Sequence, residues 1–308
     1  MKEKIIYELE SLYRSNLRIR AFDFGEGEKS VCIVGSLRGN EVQQTYICSL
    51  IVKKLKEYEE KGWIKKGYKI TVIPCVNTYS INQGKRFWPQ DDTDINRMFP
   101  GYYEGETTQR VAEGVFDAIK DYAFGIQLTS FYIPGAFSTH VRMMHTGVED
   151  LADSRLFGLR YVVVRKPRPY DTTTLNYNWQ IWNCKAYSLY TRACETIDET
   201  TAREARSSVL RFLYEKGITT VPVLGGFQSE IIEEDRMLSL KCEQAGFMRL
   251  LVSVNDEVHK GDVIAKIYDP YDHTVREEII APEDGTVFFS HAKSLVYAHT
   301  AVVKLKLN

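Results

Sequence analysis

The sequence predicts an α/β sandwich on a mixed central sheet, followed by a small all-β domain of barrel-sandwich type. Three observations carry this prediction. Over the first two-thirds, short apolar runs alternate with stretches whose apolar residues recur at three and four. After about Ser239 the helical spacing stops, and short β-rich segments are divided by turn residues. Residues 252–267 also have a weaker echo in 287–305, which suggests two related halves. The full 308 residues are long for one core. The expected division is an α/β domain over 1–238 and a β domain over 239–308.

The elements follow in order. Residues 31–35 form a buried-type strand ending in glycine. From 41 to 60, Ile47, Leu50, Ile51, Leu55 and Tyr58 mark an amphipathic helix, with Gly62 just beyond its end. Residues 68–76 read as a strand. Residues 107–122 read as a helix through Val111, Val115, Phe116 and Ile119. Further strands are expected at 125–133, 160–164 and 218–224, with helices near 175–190 and 200–214 between them. Strands separated by helices of this length imply a largely parallel or mixed sheet covered on both faces.

Composition excludes several classes. Forty Lys and Arg against 41 Asp and Glu leave a formal charge of -1, so no global field points to nucleic acid or an anionic membrane. No apolar stretch approaches the roughly 20 residues of a membrane span, and the mixed charges at the N-terminus are not those of an export signal. The six cysteines form no CxxC pair, which fits reduced core thiols and a cytoplasmic location. None of the six histidines precedes His140. Those of the β domain, His259, His273, His291 and His299, are expected to face solvent.

Three segments of the first domain carry chemistry. G-S-L-R-G-N-E spans residues 35–41 at a strand-to-helix junction. N-T-Y-S-I-N-Q-G-K-R spans 77–86 and is followed by D-I-N-R-M-F-P-G over 94–101. V-L-G-G spans 223–226. Together these resemble the succinylglutamate desuccinylase/aspartoacylase family of zinc carboxypeptidase-like hydrolases. The resemblance implies a zinc held by His, Glu and His, and a separate Glu as general base.

Residue by residue, the resemblance puts Arg38 and Thr129 at the two His positions, Glu41 at the retained ligand, and Val223 at the base. Arginine has no lone pair for zinc and valine moves no proton. The substrate side is kept: Arg86 falls on the arginine that stabilises the carbonyl, and Asn96 and Arg97 on the carboxylate clamp. An Arg38–Glu41 ion pair is also expected, with a guanidinium where zinc would sit. Asp94 reads as the structural partner of the Asn96–Arg97 turn.

The first reading is therefore a metal-poor binder of a small carboxylate ligand, an N-acyl amino acid or a peptide C-terminus, with no cofactor expected. Arg38, Arg86, Asn96 and Arg97 would form its binding site. The alternative is an active zinc-dependent amide hydrolase that recruits substitute ligands such as His140 or His145 beside Glu41. A weaker alternative is an interaction scaffold with a vestigial pocket. Partners other than the small molecule are not expected, neither nucleic acid nor membrane, and a homo-oligomer stays open. The β domain resembles a biotinyl/lipoyl-like domain, but the hairpin at 269–276 has no lysine to carry a cofactor.

Overall fold

The structure is a computed structural model and describes residues 1–11, 13, 15–131 and 133–308. Its larger sheet is built from β1 (Lys2–Leu9), β2 (Leu17–Phe24), β3 (Gly27–Ser36), β4 (Gly67–Cys75) and β5 (Phe124–Thr129). After the short β6 (Gly135–Phe137), it continues with β7 (His140–Met144), β8 (Tyr161–Arg165), β9 (Lys185–Tyr190) and β10 (Glu230–Glu233). The strand order is β1-β2-β4-β3-β5-β9-β7-β8-β10. The central pairs β4-β3, β3-β5 and β5-β9 are parallel, while β1-β2, β2-β4 and β9-β7 are antiparallel. The sheet is thus mixed, as expected.

Helices cover both faces. On one side, α1 (Val42–Glu60) presents Ile47, Ile51 and Leu55 to the sheet. On the other, α3 (Thr107–Ile119) presents Val111 and Val115. Between them in the chain, α2 (Thr78–Ile81) is a single turn, and α4 (Leu151–Ser154) is another further on. The first face is completed by α6 (Glu199–Glu215), and the second by α5 (Leu175–Ile181).

Three expectations are corrected. Residues 175–190 are not one helix: α5 stops at Ile181, Asn183 turns the chain with φ of 63°, and β9 follows. Asn is among the residues that adopt this left-handed turn at helix ends. Residues 218–224 are not a strand; only Thr219 makes an isolated bridge, to Ile64. Pro222 has no N–H to give a ladder, and the seat beside β8 is taken by β10 instead. The strand expected over 125–133 ends at Thr129, and Tyr132 lies outside the described residues.

The chain then enters two antiparallel sheets through β11 (Leu238–Lys241), β12 (Gly246–Leu250), β13 (Glu257–Val258) and β14 (Val263–Tyr268). It continues through β15 (Val275–Ile280), β16 (Gly285–His291), β17 (Leu295–Val296) and β18 (Ala301–Leu307). One sheet runs β11-β18-β16-β13 and the other β15-β14-β12-β17. Their shared core includes Ile264, Ile267, Val287 and Leu305. The α/β part reaches into this domain: β6 pairs with β16, opposing Phe137 to Phe289. His291 lies at the end of β16 and is buried, against the expectation of a solvent-facing ring.

Candidate functional site

The site lies beyond the carboxyl ends of β3, β5 and β9, where the crevices of open α/β sheets form. β3 delivers the chain into Leu37, Arg38, Gly39 and Asn40 before α1 begins. Gly39 is the hinge of this approach. Its N–H donates to the carbonyl of Arg86 at 3.1 Å. A Cβ there would lie 2.3 Å from the carbonyl oxygen of Lys85 and from backbone carbon of Ser80. A side chain would push the Arg38 and Arg86 loops apart.

Arg38 is buried, and its guanidinium is held on two sides. Its Nη1 donates to Glu41 Oε1 at 3.1 Å, and its Nη2 and Nε reach Asp94 at about 3.0 Å. A further bond runs from Nη1 to Thr129 Oγ1 at 3.3 Å. Burial opposes the charge of Arg38, but the Asp94 and Glu41 carboxylates outweigh it and raise its pKa. For Asp94, burial is likewise outweighed by Arg38, and the carboxyl stays below its ordinary range. Asp94 also accepts from Asn96 N at 3.0 Å, so it does partner the turn, while serving as half of the guanidinium cage.

Glu41 is fully committed. Its Oε1 accepts from Arg38, from Thr129 Oγ1, and from Ser130 through both N–H and hydroxyl; its Oε2 accepts from Leu37 N and Arg38 N. A carboxylate has roughly four lone-pair sites. None is left for a metal.

The donor set therefore does not fit zinc. A guanidinium and a threonine hydroxyl stand where the resemblance implies the two histidines, and the Glu41 carboxylate is saturated by protein donors. Among the described residues, no three of His, Cys, Asp and Glu converge in a way that could hold a metal ion. Neither substitute histidine joins Glu41. His140 is buried in β7, bonded through Nδ1 to the Ser138 carbonyl and stacked on Tyr190. Burial, with Arg142 beside it, holds its pKa down to about 3. His145 is exposed and paired with Glu149.

The remaining expected residues do converge. Arg38, Arg86, Asn96 and Arg97 all line one cavity of about 300 Å³. Arg86 and Arg97 make no ion pair among the described residues. Burial and the Arg38 charge lower the pKa of Arg86. Arg97 donates to the Asn96 carbonyl at 2.8 Å and lies over the Tyr170 ring. Asn96 differs from the expected clamp in one respect: its Oδ1 accepts from Leu175 N at 3.0 Å, capping α5. Only its Nδ2 group can donate to a ligand.

Val223 is not part of this site. It packs partly buried against the core, and its carbonyl accepts from Arg211 Nε. The residue beside the Thr129 position is Tyr190, its register partner across β5 and β9, and Tyr190 lines the cavity. The sequence hid it because 175–190 read as a helix; the Asn183 break was the available signal.

Two further arginines line the cavity without having been singled out. Arg142 leaves β7 with its guanidinium 5.2 Å from the Tyr190 ring centre, and Arg165 ends β8. Glu234 accepts from Arg142 and pairs with Arg165, and Asp171 accepts from Arg165. Gln127 Nε2 and both side-chain polar atoms of Asn176 are buried at the cavity with no partner among the described residues.

Comparison with known proteins agrees with this architecture. Residues 27–128 match the model of the succinylglutamate desuccinylase/aspartoacylase catalytic domain. The N-alpha-acetyl-L-2,4-diaminobutyric acid deacetylase of Halomonas elongata is 23% identical over 257 residues, 80% of this chain and 72% of that protein. A succinylglutamate desuccinylase/aspartoacylase from Rhodobacter sphaeroides superposes with a TM-score of 0.78 at 18% identity, covering 95% of this chain and 90% of its own. The product-bound ectoine utilization protein of Ruegeria pomeroyi gives 0.75 at 16% identity, with 95% and 90% covered. Its motifs, its matched segment and its fold thus agree in their likeness to the succinylglutamate desuccinylase/aspartoacylase family.

Proposed function

We propose that this chain binds a small carboxylate ligand, an N-acyl amino acid or a peptide C-terminus, without zinc and without efficient hydrolysis. The observation that carries this reading is the buried Arg38 guanidinium, caged by Glu41 and Asp94 at a position where the family resemblance implies a metal ligand. It leaves a fixed positive charge in the wall. Arg86 and Arg97 add two cations with no carboxylate of their own among the described residues, and arginine forks pair with carboxylates bidentately. Hydrolysis would need an activated water and a base; Thr129 stands where the resemblance implies a metal ligand, and Val223, at the implied base position, does not line the cavity.

Calorimetry on chelator-treated protein, titrated with a panel of N-acetyl amino acids, tests the reading. Binding is expected without added zinc. It is expected to weaken at least about tenfold in Arg97→Ala, the scale of one charge-assisted hydrogen bond, and not in the surface control Lys54→Ala. Binding that requires zinc, zinc retained at one per chain through Glu41, or turnover abolished by chelation would overturn it in favour of a metal-dependent hydrolase.

A further inference from the structure

The polar side chains of the cavity divide by whether the protein already pairs them. Arg38 is held by Glu41 and Asp94, and Asn96 Oδ1 accepts from the N–H of Leu175. Gln127 and Asn176 differ. Gln127 Nε2, Asn176 Nδ2 and Asn176 Oδ1 have no hydrogen-bond partner among the described residues, although Gln127 is only 1% exposed and Asn176 3%. Both line the cavity. Buried amides are normally paired, and one left unpaired costs the desolvation of its polar atoms. Two such side chains in one cavity wall point to a partner that enters it.

Their places in the fold set both beside the cationic groups. Gln127 lies on β5 two residues before Thr129, so the two side chains leave the same face of the strand, and Thr129 bonds Arg38. Asn176 lies on α5 directly after Leu175, whose N–H is bonded to Asn96, and Arg97 follows Asn96. Gln180, one turn further along α5, is also buried and unpaired among the described residues, but it does not line the cavity.

The unpaired set is two N–H donor groups and one carbonyl acceptor, all neutral. A carboxylate offers acceptors only and would set an oxygen against Asn176 Oδ1; an ammonium offers donors only. A hydroxyl makes its bonds from a single oxygen. A primary carboxamide presents N–H and C=O side by side on one edge, and so meets Nδ2 and Oδ1 of one asparagine in a two-point pair. A trans secondary amide has these groups on opposite edges. The second lone pair of the same ligand carbonyl is left for Gln127 Nε2. We infer that Gln127 and Asn176 form a carboxamide subsite, so that the ligand carries a primary amide as well as a carboxylate. The inference rests on the carboxylate-binding reading above and adds the class of side chain that the cavity accepts. An apolar side chain of the same length fills the space but leaves three polar atoms unpaired, which is how sites built on hydrogen bonds reject near-isosteres.

N-acetylglutamine and N-acetylmethionine form a matched probe pair, an amide against a thioether on side chains of similar length, and N-acetylglutamate adds a carboxylate. Calorimetry on chelator-treated wild-type protein is expected to show N-acetylglutamine binding about tenfold or more tightly than either of the others. In Asn176→Leu its advantage over N-acetylmethionine should vanish, through weaker binding of the amide while the thioether is still bound. Gln127→Met should narrow the ratio, and the control Gln180→Leu should leave it unchanged. A merely structural role for Asn176 would weaken both probes alike and keep the ratio. Thermal melting of each variant separates a loss of fold from a change of preference. Equal binding of N-acetylglutamine and N-acetylmethionine by the wild type, the result expected if buried water alone pairs these atoms, would overturn the inference and leave the carboxylate-binding reading intact. So would an unchanged ratio in a folded Asn176→Leu or Gln127→Met protein. A wild-type protein that takes up none of the three probes overturns both.

Discussion

Arg38 shows how one substitution reorganises a site. A buried guanidinium is tolerable only with its partners in place, and here Glu41 and Asp94 depend on it in turn. Removing one member of a buried ion pair strands the others and typically costs about 3–5 kcal/mol. Arg38→Ala is expected to fall in that range by denaturant midpoint. The same interdependence governs any return to metal chemistry. Catalytic groups act as a unit, so neither Arg38→His nor Thr129→His alone is expected to give zinc-dependent amide hydrolysis, as a zinc-supplemented assay would show. The two together with Val223→Glu are also expected to stay inactive, since Val223 does not line the cavity. His140 supplies a prediction with a sign. Its folded pKa is lowered from 6.5 to about 3, so folding excludes a proton that the unfolded chain accepts. This contribution is whole above pH 6.5 and is lost as the pH falls toward 3, at up to about 1.4 kcal/mol per pH unit. Melting temperatures from pH 7 to 4.5 should fall less steeply in His140→Phe than in the wild type.

Among the elements, the loops that leave strand ends decide the site, and the one carrying Gly39 is the tightest. Gly39→Ala would put a methyl group onto the backbone of Ser80 and Lys85. Overpacking of this kind typically costs about 1–3 kcal/mol. Ligand titration of the folded fraction should also show weakened binding, because Arg38 and Arg86 lose their spacing. What the sequence disclosed follows the same division. Asn96 and Arg97 were legible because their motif is local: one turn, held by Asp94, fixes both. Arg142 and Arg165 were not, because they meet the site only through the strand order β9-β7-β8, which no linear spacing encodes. Strand β9 was lost because its residues continue an apolar pattern begun in α5. Strands β1 and β2 went unread although Leu17, Ile19 and Ala21 alternate with Arg18, Arg20 and Phe22, a period-two signal lying in plain view.

The whole molecule is joined by an aromatic seam. Phe137 of β6 lies 4.7 Å from Phe289 of β16, and Phe288 contacts Tyr161 of the large sheet. Phe288 and Phe289 are buried there with Val163 and Ile232. The β domain and the α/β domain thus share both a strand pairing and a core. A single cooperative unfolding transition is expected in calorimetry, with Phe289→Ala shifting all of it by about 3–5 kcal/mol. Two resolved transitions, only one of them moved by the substitution, would show that the seam does not couple the domains. The seam also fixes the turn that bears Glu234, so the arginine cluster at the β7–β8 end depends on the β domain being docked.

A metal ion has an off-rate; a side chain does not. The cation that Arg38 places among Glu41, Thr129 and Asp94 is part of the chain. It cannot be withdrawn by a chelator, displaced by a competing metal, or left unfilled when zinc is scarce. Its carboxylate neighbours also raise its pKa further above the ordinary arginine value. Every folded copy therefore leaves the ribosome with its charge installed. Under the proposed function, occupancy of the cavity would depend on ligand concentration alone, not on the metal economy of the cell.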